Sequence, residues 1–136
     1  MNKTPQRFRK MKIWQKAMNF ISDIYRLTES FPDREKYGLT SQIRRAAVSI
    51  ALNIAEGSAC DGDKEFARYL SIAFNSNYEV ICGLEIAHRL GMCSKFAANR
   101  MIDQSDEIAA MITGFIQQLR HPGLIDGCQL QTASSK

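Results

Sequence analysis

Ser49-Ile-Ala-Leu-Asn-Ile-Ala-Glu-Gly57 is the stretch on which the fold turns. Ile50 and Ile54, four residues apart among alanines, mark the buried side of a helix. Asn53, Glu56 and Gly57 interrupt that side or flank it, where a plain helix does not need them. Asn53 follows Ile50 by three residues, so it reaches the same seam and reads as a buried polar group that needs a partner. Leaving it without one costs on the order of 1–3 kcal/mol. Glu56 reads as the partner of an arginine, and Gly57 as the place where another helix comes close.

Upstream, Ile43, Ala46 and Ala47 extend the same face, giving a helix from Leu39 or Thr40 to Ala59. Alanine dominates it, so a neighbouring backbone can approach. Arg44 and Arg45 are adjacent and point about 100° apart, so only one turns inward easily. Structural pairing, within the chain or between subunits, with a carboxylate such as Glu56 or Glu79 is the plainer reading of the two; contact with a ligand is the other.

Three more amphipathic segments surround this one. From Met11 to Ser30, Ile13, Trp14, Ala17, Met18, Ile21, Ile24, Tyr25 and Thr28 recur at helical spacing. Pro32 disfavours helical angles at Phe31 and ends the segment. After Cys60-Asp-Gly-Asp63, with Asp61 as expected N-cap, a long helix spans Gly62 to Leu90. Phe66, Leu70, Ala73, Phe74, Asn77, Ile81, Leu84 and His88 line one side, and Gly91 stops it. Tyr69, Ile72 and Ile86 widen its apolar surface, as a second buried face in an oligomer or as scattered surface residues. Ser94 is placed to cap a fourth helix carrying Ile102, Ser105, Ile108, Ile112, Phe115, Ile116 and Leu119, closed by His121-Pro-Gly123. With no alternating strand pattern anywhere, the expectation is an all-α protein, an antiparallel up-and-down four-helix bundle. It divides into a basic N-terminal arm (1–11), the bundle (12–121) and a flexible C-terminal tail (122–136).

The 136 residues suffice for one core, and 45% apolar with 24% charged composition is ordinary for a soluble fold. No signal-peptide h-region follows the basic start, and Asn75, Asn77, Glu79, Glu85 and His88 break the most apolar run, so a membrane span is not expected. A cytoplasmic protein with reduced cysteines follows. Cys60, Cys82, Cys93 and Cys128 form no metal-binding spacing, and Cys82 and Cys93 read as small apolar packers. Glu85-Ile-Ala-His88 has the spacing of bundle-borne di-iron sites, but such sites need a second copy of that motif, and none exists. Phosphate-loop, dinucleotide and zinc-protease motifs are absent. No catalytic residue, metal or cofactor is expected.

Charge is the better functional signal. The formal net charge is +4; residues 1–60 hold eleven Lys/Arg against five Asp/Glu, a net of +6, and residues 61–110 five against eight, a net of −3. Lys3, Arg7, Arg9, Lys10, Lys12 and Lys16 precede the first acidic residue, Asp23. Such a cluster serves solubility or meets nucleic-acid phosphates. Phe8, Met11, Ile13 and Trp14 interleave with it as in an interfacial helix, yet Trp14 is explained more simply by the core stripe.

The segments IWQKAMNFISDIYRLTESFPDREKYGLTSQIRRAAVSI (13–50), NIAEG (53–57) and KEFARYLSIAFNSNYE (64–79) together resemble the four helix bundle protein family of bacteria, also called the 23S ribosomal RNA intervening-sequence or S23-like family. The resemblance covers roughly residues 8–119. It implies an antiparallel four-helix bundle assembled as a ring-like homopentamer. It also extends to the accessory variability proteins of diversity-generating retroelements, whose barrels bind nucleic acid. The positions that match the family pattern include Trp14, Tyr25, Phe31, Pro32, Tyr37, Gly38, Gln42, Arg44, Arg45, Asn53, Glu56, Gly57, Glu65, Phe66 and Glu79. Ala51 stands where the family usually has proline, which leaves the helix straight and fully bonded. Cys60 replaces a basic residue, weakening any nucleic-acid surface at that connection. Asn75 replaces a glycine, and Asn77-Tyr78 stands where a leucine usually begins the pair.

Two partner readings follow. One is RNA or DNA bound through Lys3, Arg7, Arg9, Lys10, Lys12, Lys16, Arg44 and Arg45. The other is a scaffold or adaptor for another protein, in which Trp14, Gln42, Arg44, Arg45, Asn53, Glu56, Gly57 and Glu79 serve packing and assembly.

Overall fold

The structure, a computed structural model, describes residues 5–122; Lys3, Cys128 and the tail from 123 onward lie outside them. Four helices follow in order: α1 Lys12–Thr28, α2 Leu39–Ser58, α3 Asp63–Arg89 and α4 Lys95–Arg120. α1 touches α2 and α4, and α3 touches α2 and α4, closing a four-helix bundle. Cross-helix partners run in opposite directions along each seam: Ser49 meets Ser76 while Gly57 lies against Phe66. Between α3 and α4, Asn77 meets Ser105 and Phe66 meets Phe115.

Local chemistry explains the helix limits. Ser94 accepts from the Ala97 N–H at 3.1 Å and caps α4. Gly91, at φ 78°, ends α3: its N–H reaches the His88 carbonyl, and the Met92 N–H reaches that of Ala87 at 2.9 Å. That six-to-one closure needs a left-handed residue, which glycine supplies without strain. The start of α3 departs from expectation. Gly62, not Asp61, is the N-cap, and no side chain caps it; Asp63 and Glu65 still sit in the first turn, where the helix dipole favours them. At the start of α2 the capping role falls to Glu35, whose carboxylate accepts from the Leu39 N–H at 3.0 Å. α2 then runs unbroken through buried Ala51.

The core is built from Phe20, Ile24, Ile50, Ile54, Leu70, Ile108 and their neighbours, all essentially inaccessible. The buried stripe of α1 is rotated from the expected one. Phe20 is fully buried, whereas Met18 and Tyr25 are exposed. α3 turns its small residues Ala67, Ser76, Gly83 and Ala87 inward as well, because it packs on two helices. Cys82 is exposed rather than a core packer, and Cys93 is half-buried.

Two seams of α3 are closely specified. A Cβ on Gly57 would stand 2.8 Å from Phe66 Cδ1 and 2.8 Å from Tyr69 Cβ, so α2 and α3 meet there because the glycine has no side chain. A Cβ on Gly83 would stand 2.6 Å from Ile43 Cγ1. On the opposite seam, fully buried Asn77 donates to the Ser105 carbonyl at 2.9 Å and accepts from the Ser105 hydroxyl at 2.9 Å.

Candidate nucleic-acid interface

The basic opening is not a free arm where it is described. Residues Arg7–Lys10 form a single 3₁₀ turn laid against the end of α2. Arg7 Nε donates to the Ser58 carbonyl at 3.0 Å, and its guanidinium lies 5.4 Å from the centre of the Phe66 ring. Phe8 packs edge-on to Trp14 at 5.0 Å, and Gln15 Nε2 donates to the Arg9 carbonyl at 2.9 Å. Arg7 is thereby committed to holding the turn. Lys16 is engaged too, in an ion pair with Glu107 at 2.8 Å. Arg9, Lys10 and Lys12 remain exposed and, among the described residues, outside any ion pair.

Arg44 and Arg45 lie at the other end of α2. Fourteen residues separate Arg44 from Ser58, about 21 Å of helix. The sequence candidates therefore form two groups, not one patch. Arg44 is half-buried: Nε donates to the Thr28 hydroxyl at 2.8 Å and Nη2 to the Tyr25 carbonyl at 3.2 Å. Its guanidinium also stands 4.4 Å from the Tyr25 ring centre. Within the chain the partner of Arg44 is thus the end of α1, where unpaired carbonyls and the helix dipole favour a cation, and not Glu56 or Glu79. Both glutamates are exposed and outside any ion pair among the described residues. Arg45 is exposed in the same way, and Gln42 is exposed beside it.

Asn53 is half-buried, not sunk in the core. Its amide donates to the Ser49 carbonyl at 2.8 Å and to the Ser49 hydroxyl at 3.0 Å. Ser49 in turn is 2.8 Å from the Ser76 hydroxyl, so Asn53 reaches α3 through a serine pair.

Around Arg45 a groove of about 520 Å³ opens between the α1–α2 connection and α2. Tyr25, Lys36, Tyr37, Thr40, Arg44 and Arg45 contribute to it. Tyr37 is 90% exposed, and Lys36 Nζ lies 5.6 Å from its ring centre. Sequence reasoning assigned Tyr25 to the core and gave Tyr37 no chemical role. The available signal was an aromatic next to lysine in the connection after Pro32. A larger groove, about 820 Å³, lies near Lys64, Arg68 and Arg120. There the Glu65 carboxylate hydrogen-bonds Arg68 and holds its guanidinium above its ordinary value, so part of that charge is already answered.

His88 Nδ1 lies 3.3 Å from the Cys93 carbonyl, closing the α3–α4 turn rather than joining a metal site. Burial pushes the Cys93 thiol above its ordinary value. Among the described residues no group of three His, Cys, Asp or Glu side chains is placed to hold a metal ion, and no helix is long and apolar enough to cross a membrane.

The model of the 23S rRNA-intervening sequence protein family matches residues 9–114. The chain belongs to this family. The match takes in both ends of α2 and leaves Arg7 just outside it. A crystal structure of a protein of unknown function from the S23 ribosomal protein family, from Bacteroides thetaiotaomicron, is similar to the chain. It has 22% sequence identity and a TM-score of 0.70, over 77% of this chain and 98% of that one. At that identity the likeness speaks for the bundle alone. No curated protein matches the chain.

Proposed function

We propose that this 23S rRNA-intervening sequence family member is a non-enzymatic helical-bundle protein that binds the phosphate backbone of RNA or DNA. The observation that carries the reading is the turn beside α1. Arg7 is spent on anchoring it, and Arg9, Lys10 and Lys12 stand exposed with no ion pair among the described residues. Cations presented on a held turn lose little freedom when they meet phosphates. The family name refers to 23S rRNA, which makes structured RNA the first ligand to try.

The test is a titration of labelled structured RNA and duplex DNA at low and near-physiological salt. The triple variant Arg9→Ala/Lys10→Ala/Lys12→Ala is measured alongside. Each phosphate left without its cation reduces the salt slope by roughly 0.9, so the variant's slope falls by about 2 to 3 and its affinity drops. Salt-independent binding, or binding unchanged in the variant, refutes the reading.

The alternative is a self-assembling scaffold, and the outer face of α2 favours it. Arg45 and Glu56 lie about three turns apart, opposite in sign, with 57%-exposed Leu52 between them. That stripe is complementary in charge to the same stripe on a second, antiparallel copy, a two-fold contact that pairs chains. Light scattering at micromolar concentration decides it: a monomer excludes this reading, and an oligomer dissociated by Leu52→Glu supports it.

A further inference from the structure

The groove at the start of α2 has a chemistry that backbone binding does not use. The ring of Tyr37 is 90% exposed, an unusual amount of aromatic surface to leave in water. Cations flank it: Lys36 on the same turn, and Arg45 on α2 with no ion pair among the described residues. Arg44 and Tyr25 close the far side as a stacked pair, 4.4 Å from guanidinium to ring centre. Thr40, only 7% exposed, contributes to the same groove, and its hydroxyl has no hydrogen-bond partner. That oxygen is itself closed off from solvent, so the groove's chemistry rests on its aromatic and cationic side chains. At about 520 Å³ the groove falls within the range of small-molecule sites, roughly 300–1,000 Å³.

A bare phosphate would use the cations and leave the exposed ring unexplained. An apolar ligand would use the ring and strand the cations. A flat aromatic base joined to a phosphate uses both, since every base offers a π-face for stacking. We propose that this groove takes one unpaired nucleotide, with its base stacked on Tyr37 and its phosphate held between Lys36 and Arg45. This rests on the nucleic-acid reading above and narrows it, because a base inside a duplex is paired and stacked and cannot present its face. A nucleotide within a single strand and a free nucleoside monophosphate share this chemistry.

Fluorescence anisotropy of a labelled single-stranded oligouridine and of a labelled RNA duplex tests the proposal. The protein is used whole, as wild type, Tyr37→Ala, Tyr37→Phe and the triple variant Arg9→Ala/Lys10→Ala/Lys12→Ala. Tyr37 is nearly fully exposed, so its substitution leaves the core untouched. Tyr37→Ala is expected to weaken single-strand binding about tenfold, the usual scale of removing one base–aromatic stack. Duplex binding stays as it was, and Tyr37→Phe stays near wild type. Uridine monophosphate that displaces the strand identifies the free nucleotide as a source; failure to displace with the Tyr37→Ala effect intact identifies the strand.

Equal single-strand affinity for wild type and Tyr37→Ala overturns the proposal. Salt-sensitive duplex binding in that case leaves the backbone reading standing, while absence of all nucleic-acid binding removes both. A changed molecular mass for Tyr37→Ala, with single-strand affinity unaltered, overturns it too and assigns Tyr37 to a contact between copies.

Discussion

Against α2, helix α3 closes over glycine: Gly57 admits Phe66 and Tyr69, and Gly83 admits Ile43. Against α4 it closes over a hydrogen-bonded pair, Asn77 with Ser105, fully buried between the two helices. The first seam is specified by shape, because a helix shifted along it would bring side chains where only hydrogen atoms fit. The second is specified by polarity, because a shifted helix would leave a buried amide and hydroxyl unpaired. Shape tolerates changes that conserve volume; polarity is unforgiving, since each orphaned group costs the desolvation it can no longer recover.

The largest effect is expected on the polar seam. Asn77→Ala removes both hydrogen bonds and leaves a void, at a cost of about 3 kcal/mol. Urea denaturation measures it, and a loss below about 1 kcal/mol would show that the pair does not hold the register.

The glycine seam gives a smaller and more diagnostic result. Gly83→Ala forces its Cβ against Ile43, an overpacking cost of about 2 kcal/mol, against a gain of roughly 1 kcal/mol in helix propensity. The net is a destabilisation of about 1 kcal/mol. In an Ile43→Ala background the obstruction is gone, so the same substitution is expected to turn stabilising. A double-mutant cycle reads that change of sign; its absence would mean that Ile43 is not what Gly83 accommodates.

The least effect falls outside the seams, at Arg45, beside an Arg44 whose loss costs more. Arg44→Ala loses its bonds to Thr28 and Tyr25 and should cost about 1–2 kcal/mol, whereas Arg45→Ala stays within about 0.5 kcal/mol. Thermal melts distinguish them. Equal losses would refute the division of labour seen at that end of α2.

Much of this was legible from residue order. The four helices, the Ser94 cap, the Gly91 stop and the close approach at Gly57 follow from periodicity and backbone preference, which are local properties. What was not legible depends on tertiary surroundings. Phe20 kept helical spacing with Ala17 and Ile24, yet Met18 and Tyr25 kept it with their neighbours equally well, and only the packed partners decide between the stripes. Ala67, Gly83 and Ala87 are buried because of what faces them, and small side chains give a weak hydropathy signal. Within the candidate site, shared charge alone joined the cations that α2 holds about 21 Å apart. Arg44 found its partner in carbonyls at the end of α1, which no count of carboxylates could reveal.

The helices are not equally attached. The α2–α3 seam is the most extensive and is joined by the short connection at residues 59–62, while the α1–α4 seam is the least extensive. Much of what ties α1 in place is partly exposed: Lys16 with Glu107, Gln104 Nε2 to Asp23 at 3.0 Å, and the grip of Arg44. Elements joined in this way open as cooperative units below the cost of global unfolding. α1 is therefore the natural first unit to leave, ahead of the α2–α3 hairpin. Tyr25, one wall of the groove, leaves with it, so the groove is complete only while α1 is docked. If the proposed nucleotide also rests on that wall, its occupancy favours the docked α1 and would slow amide exchange along the helix.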